Sequence, residues 1–246
     1  MNDLTLRSLY IGRQPMTSHH LAKLVGSLFL LQLVGGIFLN FFFLQQLTTE
    51  LAQFDVTSTS LVIGVATILA LALSAINLTV SAVSYHLLFK QYPIHNLILL
   101  GFSMIALGLT AIEYAKMGEL MSLLAYFKSK GIDTLSESML LTKHVVAMGR
   151  NEIHYLTIVI SSISVLLFYA LLFRATQIPK WLTGFALIAC LLQLIAVSST
   201  LFQSSVINII QLPLVITQLV LPIYFIIYGF QITSRSKEKV TKTRAN

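Results

Sequence analysis

Charged residues are scarce in this 246-residue chain: Asp, Glu, Lys and Arg together make up 10% of it, against 56% hydrophobic residues. Soluble domains carry about 25% charged residues, so a water-exposed surface of ordinary composition is excluded. The gaps between charges are ordered. No Asp, Glu, Lys or Arg occurs between Lys23 and Glu50, Asp55 and Lys90, Lys90 and Glu113, or Glu152 and Arg174, nor in the 54 residues from Trp181 to Ser234. A helix needs about 20 apolar residues to cross the hydrocarbon core, so each of the first four intervals holds one span. The last holds two, parted by Gln203-Ser204-Ser205.

Other absences exclude function classes. One cysteine, Cys190, rules out an internal disulfide. The first 20 residues lack the apolar run of a cleavable signal, so the first apolar stretch is read as a retained span. No His-Glu-x-x-His, Cys-x-x-Cys, Gly-Lys-Ser/Thr phosphate loop or Gly-x-Ser-x-Gly is present, which argues against an ATP-driven pump and a soluble-type metallohydrolase. His86 and His95 flank a short turn, but no matched ligand pair accompanies them. Neither a metal nor a cofactor is expected. The net charge of +7 does not indicate nucleic acid, because five of the sixteen Lys and Arg lie in the last twelve residues. A basic tail beside a span meets anionic membrane lipids or sets orientation.

What is present is an all-α, multi-pass transmembrane bundle forming one domain. Spans are expected at residues 24–44, 60–89, 94–115, 153–173, 181–202 and 206–230, followed by a basic tail at 231–246. Pro93 and Pro179 begin spans, where a missing N–H does no harm. Pro213 and Pro222 are placed inside span 6 and expected to bend it. Eleven Lys and Arg fall on the side of the termini and five on the other, all five between Lys116 and Arg150. Both termini are therefore expected in the cytoplasm of a bacterial cell, the chain crossing its inner membrane. Trp181, Tyr92 and Tyr228 then form an inner aromatic belt, and Tyr114 with Tyr155 an outer one.

Only the connection from Lys116 to Asn151 is long enough for structure of its own. Leu120, Leu123, Leu124 and Phe127 recur at helical spacing, Gly131 is placed to end that helix, and Thr134 with Glu137 has capping-box spacing. Two amphipathic segments at the outer interface are expected, acting as an anchor or as a lid. Three spans in each half have the parity of an inverted repeat, without a matching residue pattern.

Polar residues within apolar spans are costly and mark candidate sites. Glu113 lies at the expected end of span 3, and Arg150, Glu152 and His154 at the start of span 4, with Asn40 and Gln211 at similar depth. Arg150 and His154, four residues apart, share a helix face, so Glu113 and Arg150 are expected to pair. His154 is a candidate proton acceptor near neutral pH. The group either closes the bundle structurally or binds a polar solute or headgroup. Ser74, Asn77, Ser81 and Ser84, with Ala70, recur at alternating spacings of four and three. That makes a polar seam suited to close helix packing, or to lining a path.

From Phe168 to Gly184 an apolar helix ends in Arg174, a short link reaches Ile178-Pro179-Lys180, and a new helix opens with Trp181-Leu182-Thr183-Gly184. This resembles the bacterial membrane family catalogued as domain of unknown function 4386. That family ends its fourth span with Arg before a Pro-Arg-(Leu/Trp)-Leu-Gly start, and its last span follows Pro and ends near Gly, as Leu212-Pro213 and Tyr228-Gly229-Phe230 do here. Lys180 and the inserted Thr183 depart from the pattern. The resemblance is clearest from Asn151 to Gln231 and implies the fold without an activity. Three readings stay open: binding or transport of a small polar or amphipathic molecule, a membrane enzyme on a lipid or isoprenoid with Glu113 and His154 as acid and base, and a partner subunit or sensor. A homo-oligomer or membrane partner fits any of them.

Overall fold

The computed structural model describes residues 18–44, 56–131, 136–202 and 208–229. Six helices are long and apolar enough to cross a membrane, and no strand occurs among the described residues. Helix α1 spans Ser18–Phe38 and continues as a π-helical stretch, Leu39–Leu44; α2 spans Val56–Leu88, α3 Pro93–Ser129, α4 Glu137–Ala175, α5 Lys180–Ser198 and α6 Leu212–Tyr228. Each helix packs against its neighbours in sequence, and α6 returns to pack on α1. The result is a closed ring of six helices. The end at which α3 turns back into α4 is called the hairpin end here, and the other the terminal end.

Local chemistry accounts for the boundaries. Pro93 occupies the first turn of α3, where its fixed φ suits the helix. Gly131 follows the end of α3 with a φ of +71°, a conformation that favours glycine. Glu137 opens α4 and Arg174 closes it, each sign matching the helix dipole. Lys180, at the head of α5, turns its Nζ back to the carbonyl oxygens of Phe173 and Thr176 at the end of α4. The Ile-Pro-Lys link thus caps one helix with the first residue of the next.

Three expectations need correction. The second segment between spans 3 and 4 leads into span 4 as expected, but the first continues α3 without a break instead of standing apart, giving helices of 37 and 39 residues. At 1.5 Å per residue these run about 55 Å, well beyond a hydrocarbon core of about 30 Å. The apolar stripe of the first packs on protein, Met117, Met121, Leu124 and Phe127 meeting Ile63 of α2 and Met139 of α4, whereas Leu140, Leu141 and Val145 of the second are exposed. The N-cap of α4 is Ser136, two residues after the expected Thr134, which lies outside the described residues. Pro213 does not interrupt the last span; a 3₁₀ turn, Asn208–Gln211, precedes α6, so Pro213 sits in its first turn and only Pro222 lies within it. Of the loop expected at Gln45 to Thr59, residues 45–55 lie outside the described residues, as do Gln203 and the basic tail, while α2 already begins at Val56.

The core is small-residue packing around a few large side chains. Ala186, Ala189 and Cys190 of α5 are fully buried, letting α5 approach α4, where Tyr169, Leu171 and Leu172 are buried. Gly26 lets α1 meet α6: a Cβ there would lie 2.6 Å from the Pro222 carbonyl oxygen. On the outside, Val34, Ile68, Met104, Ile188 and Ile216 are each more than half exposed. An apolar girdle drawn from five helices is what a bilayer covers and water does not.

Candidate functional site

The seam on α2 is where the interior turns polar. Asn77, Ser81 and Ser84 are buried, and they divide by depth. Toward the terminal end the hydroxyls knit helices together. Ser81 Oγ lies 2.6 Å from Ser103 Oγ of α3, which lies 2.6 Å from Ser164 Oγ of α4, and Ser81 donates to the Asn77 carbonyl. Ser84 donates to Asn96 Oδ1 at 2.9 Å, and Asn96 in turn donates to the Tyr92 carbonyl. This half is packing.

Toward the hairpin end the ring opens into a central cavity of about 850 Å³ with walls from all six helices. Phe29 and Tyr169 form part of its wall, with Phe168 packed behind them; the Phe29 and Phe168 rings lie 5.6 Å apart. Ser74 and Asn77 face it, as does Thr110, which donates to Ser74 Oγ at 3.2 Å. About one turn nearer the hairpin end stand Glu113 of α3 and His154 of α4.

Glu113 is 4% exposed, a carboxylate within an apolar helix. Its Oε1 accepts from Arg150 Nη2 at 2.8 Å and contacts His154 Nδ1 at 2.9 Å. A carboxylate paired with a guanidinium only accepts, so Nδ1 of His154 carries the proton in this contact. In the neutral ring Nε2 is then left as an acceptor. Arg150 reaches Asn151 Oδ1 at 3.2 Å through Nη1, while its buried Nε has no hydrogen-bond partner. The trio links α3 to α4 and places one fully paired charge at the cavity wall.

The other expected site residues are distributed around it. Asn40 and Gln211 line the cavity, Asn40 also donating to the Gly36 carbonyl of its own helix at 2.8 Å. Arg150 holds Glu113 from outside the wall. Glu152 is exposed and takes no part. Ser74 and Asn77 line the cavity, whereas Ser81 and Ser84 belong to the packed half. Tyr114, expected in an aromatic belt, is instead buried against the cavity beside Glu113, because α3 continues well past it. Trp181 and Tyr228 are largely exposed, as belt residues are. His95 lies near the terminal end, 3.3 Å from Arg174, far from the cavity. Among the described residues no three His, Cys, Asp or Glu side chains gather as a metal-ligand set.

Three amides escaped the sequence reading: Gln32, Gln193 and Gln218, from α1, α5 and α6, all line the cavity. Each is a lone amide in a charge-free run, the same signal of costly intramembrane polarity that singled out Asn77. With Thr157, Ser161 and Ser162 they make the wall rich in groups that both donate and accept hydrogen bonds.

Ring and cavity together define a multi-pass membrane protein built around an interior chamber whose mostly apolar wall carries a group of polar side chains. The family model described as a domain of unknown function, DUF4386, matches residues 24–229, and the chain belongs to that family. The match therefore takes in the first three spans as well as the stretch from Asn151 onward. No curated protein and no solved structure matches the chain.

Proposed function

We propose that the protein binds a small polar or amphipathic molecule in the central cavity, and that the cavity faces away from the cytoplasm of a bacterial cell. One observation carries the reading: a buried carboxylate, held by Arg150 and His154, stands in the wall of an 850 Å³ chamber to which every helix contributes. Ligand sites commonly measure about 300–1,000 Å³ and combine an apolar wall with a few convergent polar groups. Phe29, Leu33, Val165 and Leu214 supply the apolar part, and the amides, hydroxyls and the Glu113–His154 pair the polar part. A group serving only to close the bundle needs no chamber beside it.

The test is ligand retention read by native mass spectrometry on protein taken from mild detergent. His154→Gln keeps an N–H donor for Glu113, so stability should change little, by less than about 1 kcal/mol. Retention of the bound mass should weaken. The charged or titratable neighbours, Glu113, Arg150 and Tyr114, remain in place in that variant. Wild-type retention with no bound mass, or a variant indistinguishable from wild type, refutes the proposal.

Orientation has its own check. A reporter fused after Gln231, or placed near Arg13, should be cytoplasmic, and one inserted at Gly131 external, from the eleven-to-five bias of Lys and Arg. Cytoplasmic labelling at Gly131 places the cavity on the wrong side for an outward-facing site.

A further inference from the structure

The wall of the cavity is not closed all round. Ile37 of α1, Phe41 of the π-helical stretch that continues it and Val215 of α6 line it, yet they are 50%, 67% and 54% exposed. A residue that is both wall and outer surface stands at an opening. The antiparallel register of α1 and α6 locates that opening. Gly26 meets Pro222 and Phe225 so closely that the helices leave no gap there. Eleven residues further along α1, about 16 Å nearer the hairpin end, Ile37 comes level with the start of α6. Between these levels Gly36, also in the wall, has nothing within 4 Å of where a Cβ would stand. Helices pinned at one end thus border an opening at the other.

The level of the opening matters. Ile37 and Phe41 fall in the membrane-crossing stretch His19–Phe41, and Val215 in Ile209–Tyr228. An opening flanked by exposed apolar side chains inside two spans faces acyl chains rather than water. Its polar rim, Asn40 and Gln211, lies at the hairpin side of the same gap.

The charge balance narrows the ligand. Glu113 and Arg150 already neutralise each other, and the remaining polar wall is amide, hydroxyl and one imidazole. An ionic head would be desolvated there without a counter-charge, whereas a hydroxyl or carbonyl finds partners of both kinds. We infer that the cavity takes its ligand sideways from the bilayer through a gap between α1 and α6. The ligand is a lipid with an uncharged, hydrogen-bonding head, which lies near Glu113 and His154 while its chain leaves past Ile37 and Val215.

This rests on the binding function proposed above, and the experiment separates the two. Full-length protein is placed in phosphatidylcholine nanodiscs containing a monoacylglycerol that carries a diazirine in its chain, and labelled peptides are mapped after photolysis. Label is expected on Leu73 and Leu214, which line the cavity beside the gap and are almost wholly buried, beyond the reach of bulk lipid. Val215→Trp, a substitution at an exposed position, should cut that label about tenfold. Ile188→Trp, on the outer face of α5, should not; Ile37→Trp blocks the gap from its other side should Val215→Trp not fold. The water-soluble homologue monobutyrin should protect the cavity residues in wild type and in the Trp variants alike. Undiminished long-chain label in both blocking variants, with monobutyrin still protecting, overturns the lateral entry and leaves the binding function standing. A diazirine fatty acid labelling the cavity more strongly than the monoacylglycerol overturns the uncharged head. No cavity label and no protection overturns both readings.

Discussion

Glu113→Gln and Arg150→Gln each destabilise the folded protein by up to about 3–5 kcal/mol, and the double variant loses less than the sum of the two. The basis is burial: the Glu113 side chain is 5% exposed and that of Arg150 14%, so removing one leaves the other charged and without its counter-ion. The two variants should differ in a way the third partner dictates. In Arg150→Gln, His154 still contacts Glu113 Oε1, so the carboxylate keeps one partner. In Glu113→Gln both Arg150 and His154 lose their anionic acceptor, so that variant should lose more. Thermal unfolding in a neutral detergent reads both. Additive single variants would show that the three side chains do not act as one group.

The second large effect is a change of sign. Glycine within a helix is ordinarily less stable than alanine by roughly 0.5–1 kcal/mol, so Gly→Ala usually helps. Gly108 should follow that rule, since a Cβ there meets nothing within 4 Å. Gly26→Ala should reverse it. Its Cβ would stand 2.6 Å from the Pro222 carbonyl oxygen and 3.1 Å from Phe225 Cβ, and a backbone oxygen cannot swing aside as a side chain does. Helices α1 and α6 must part, with a net loss of about 1–3 kcal/mol, the usual penalty of overpacking. A Gly26→Ala variant melting at or above the wild-type temperature would show that the helices are not held at that point.

How much of this was legible in the sequence depended on range. The spans were legible because charge-free length is a local property that lipid enforces. The grouping of Glu113, Arg150 and His154 was legible too, because an acid and a base at facing ends of adjacent spans have few other partners. Tyr114 was misplaced for a reason in the same region: the expected end of span 3 was set by Glu113, a charge that the structure buries with a partner. A charge marks the edge of a bilayer only when nothing inside the bundle neutralises it. The first hairpin extension was misjudged likewise, since an amphipathic stripe does not say whether its apolar side meets lipid or a neighbouring helix. The cavity was only half legible: Asn77 and Ser74 signalled it, while Gln32, Gln193 and Gln218 stand in three helices that nothing local connects. Gly26 carried no signal at all, being one of twelve glycines whose difference lies in what α6 brings opposite.

The closed ring also sets an order in time. Of the six helices described, α1 is made first and has the smallest buried share, 22% of its apolar window, and one of its two ring neighbours, α6, is made after the other five. Until α6 emerges, the face of α1 around Gly26 has lipid beside it instead of Pro222 and Phe225, and the chamber has no sixth wall. A chain stopped after α5 would be a bundle with an open side, inserted and unable to enclose anything. Closure of the chamber thus waits on the sixth helix of the ring.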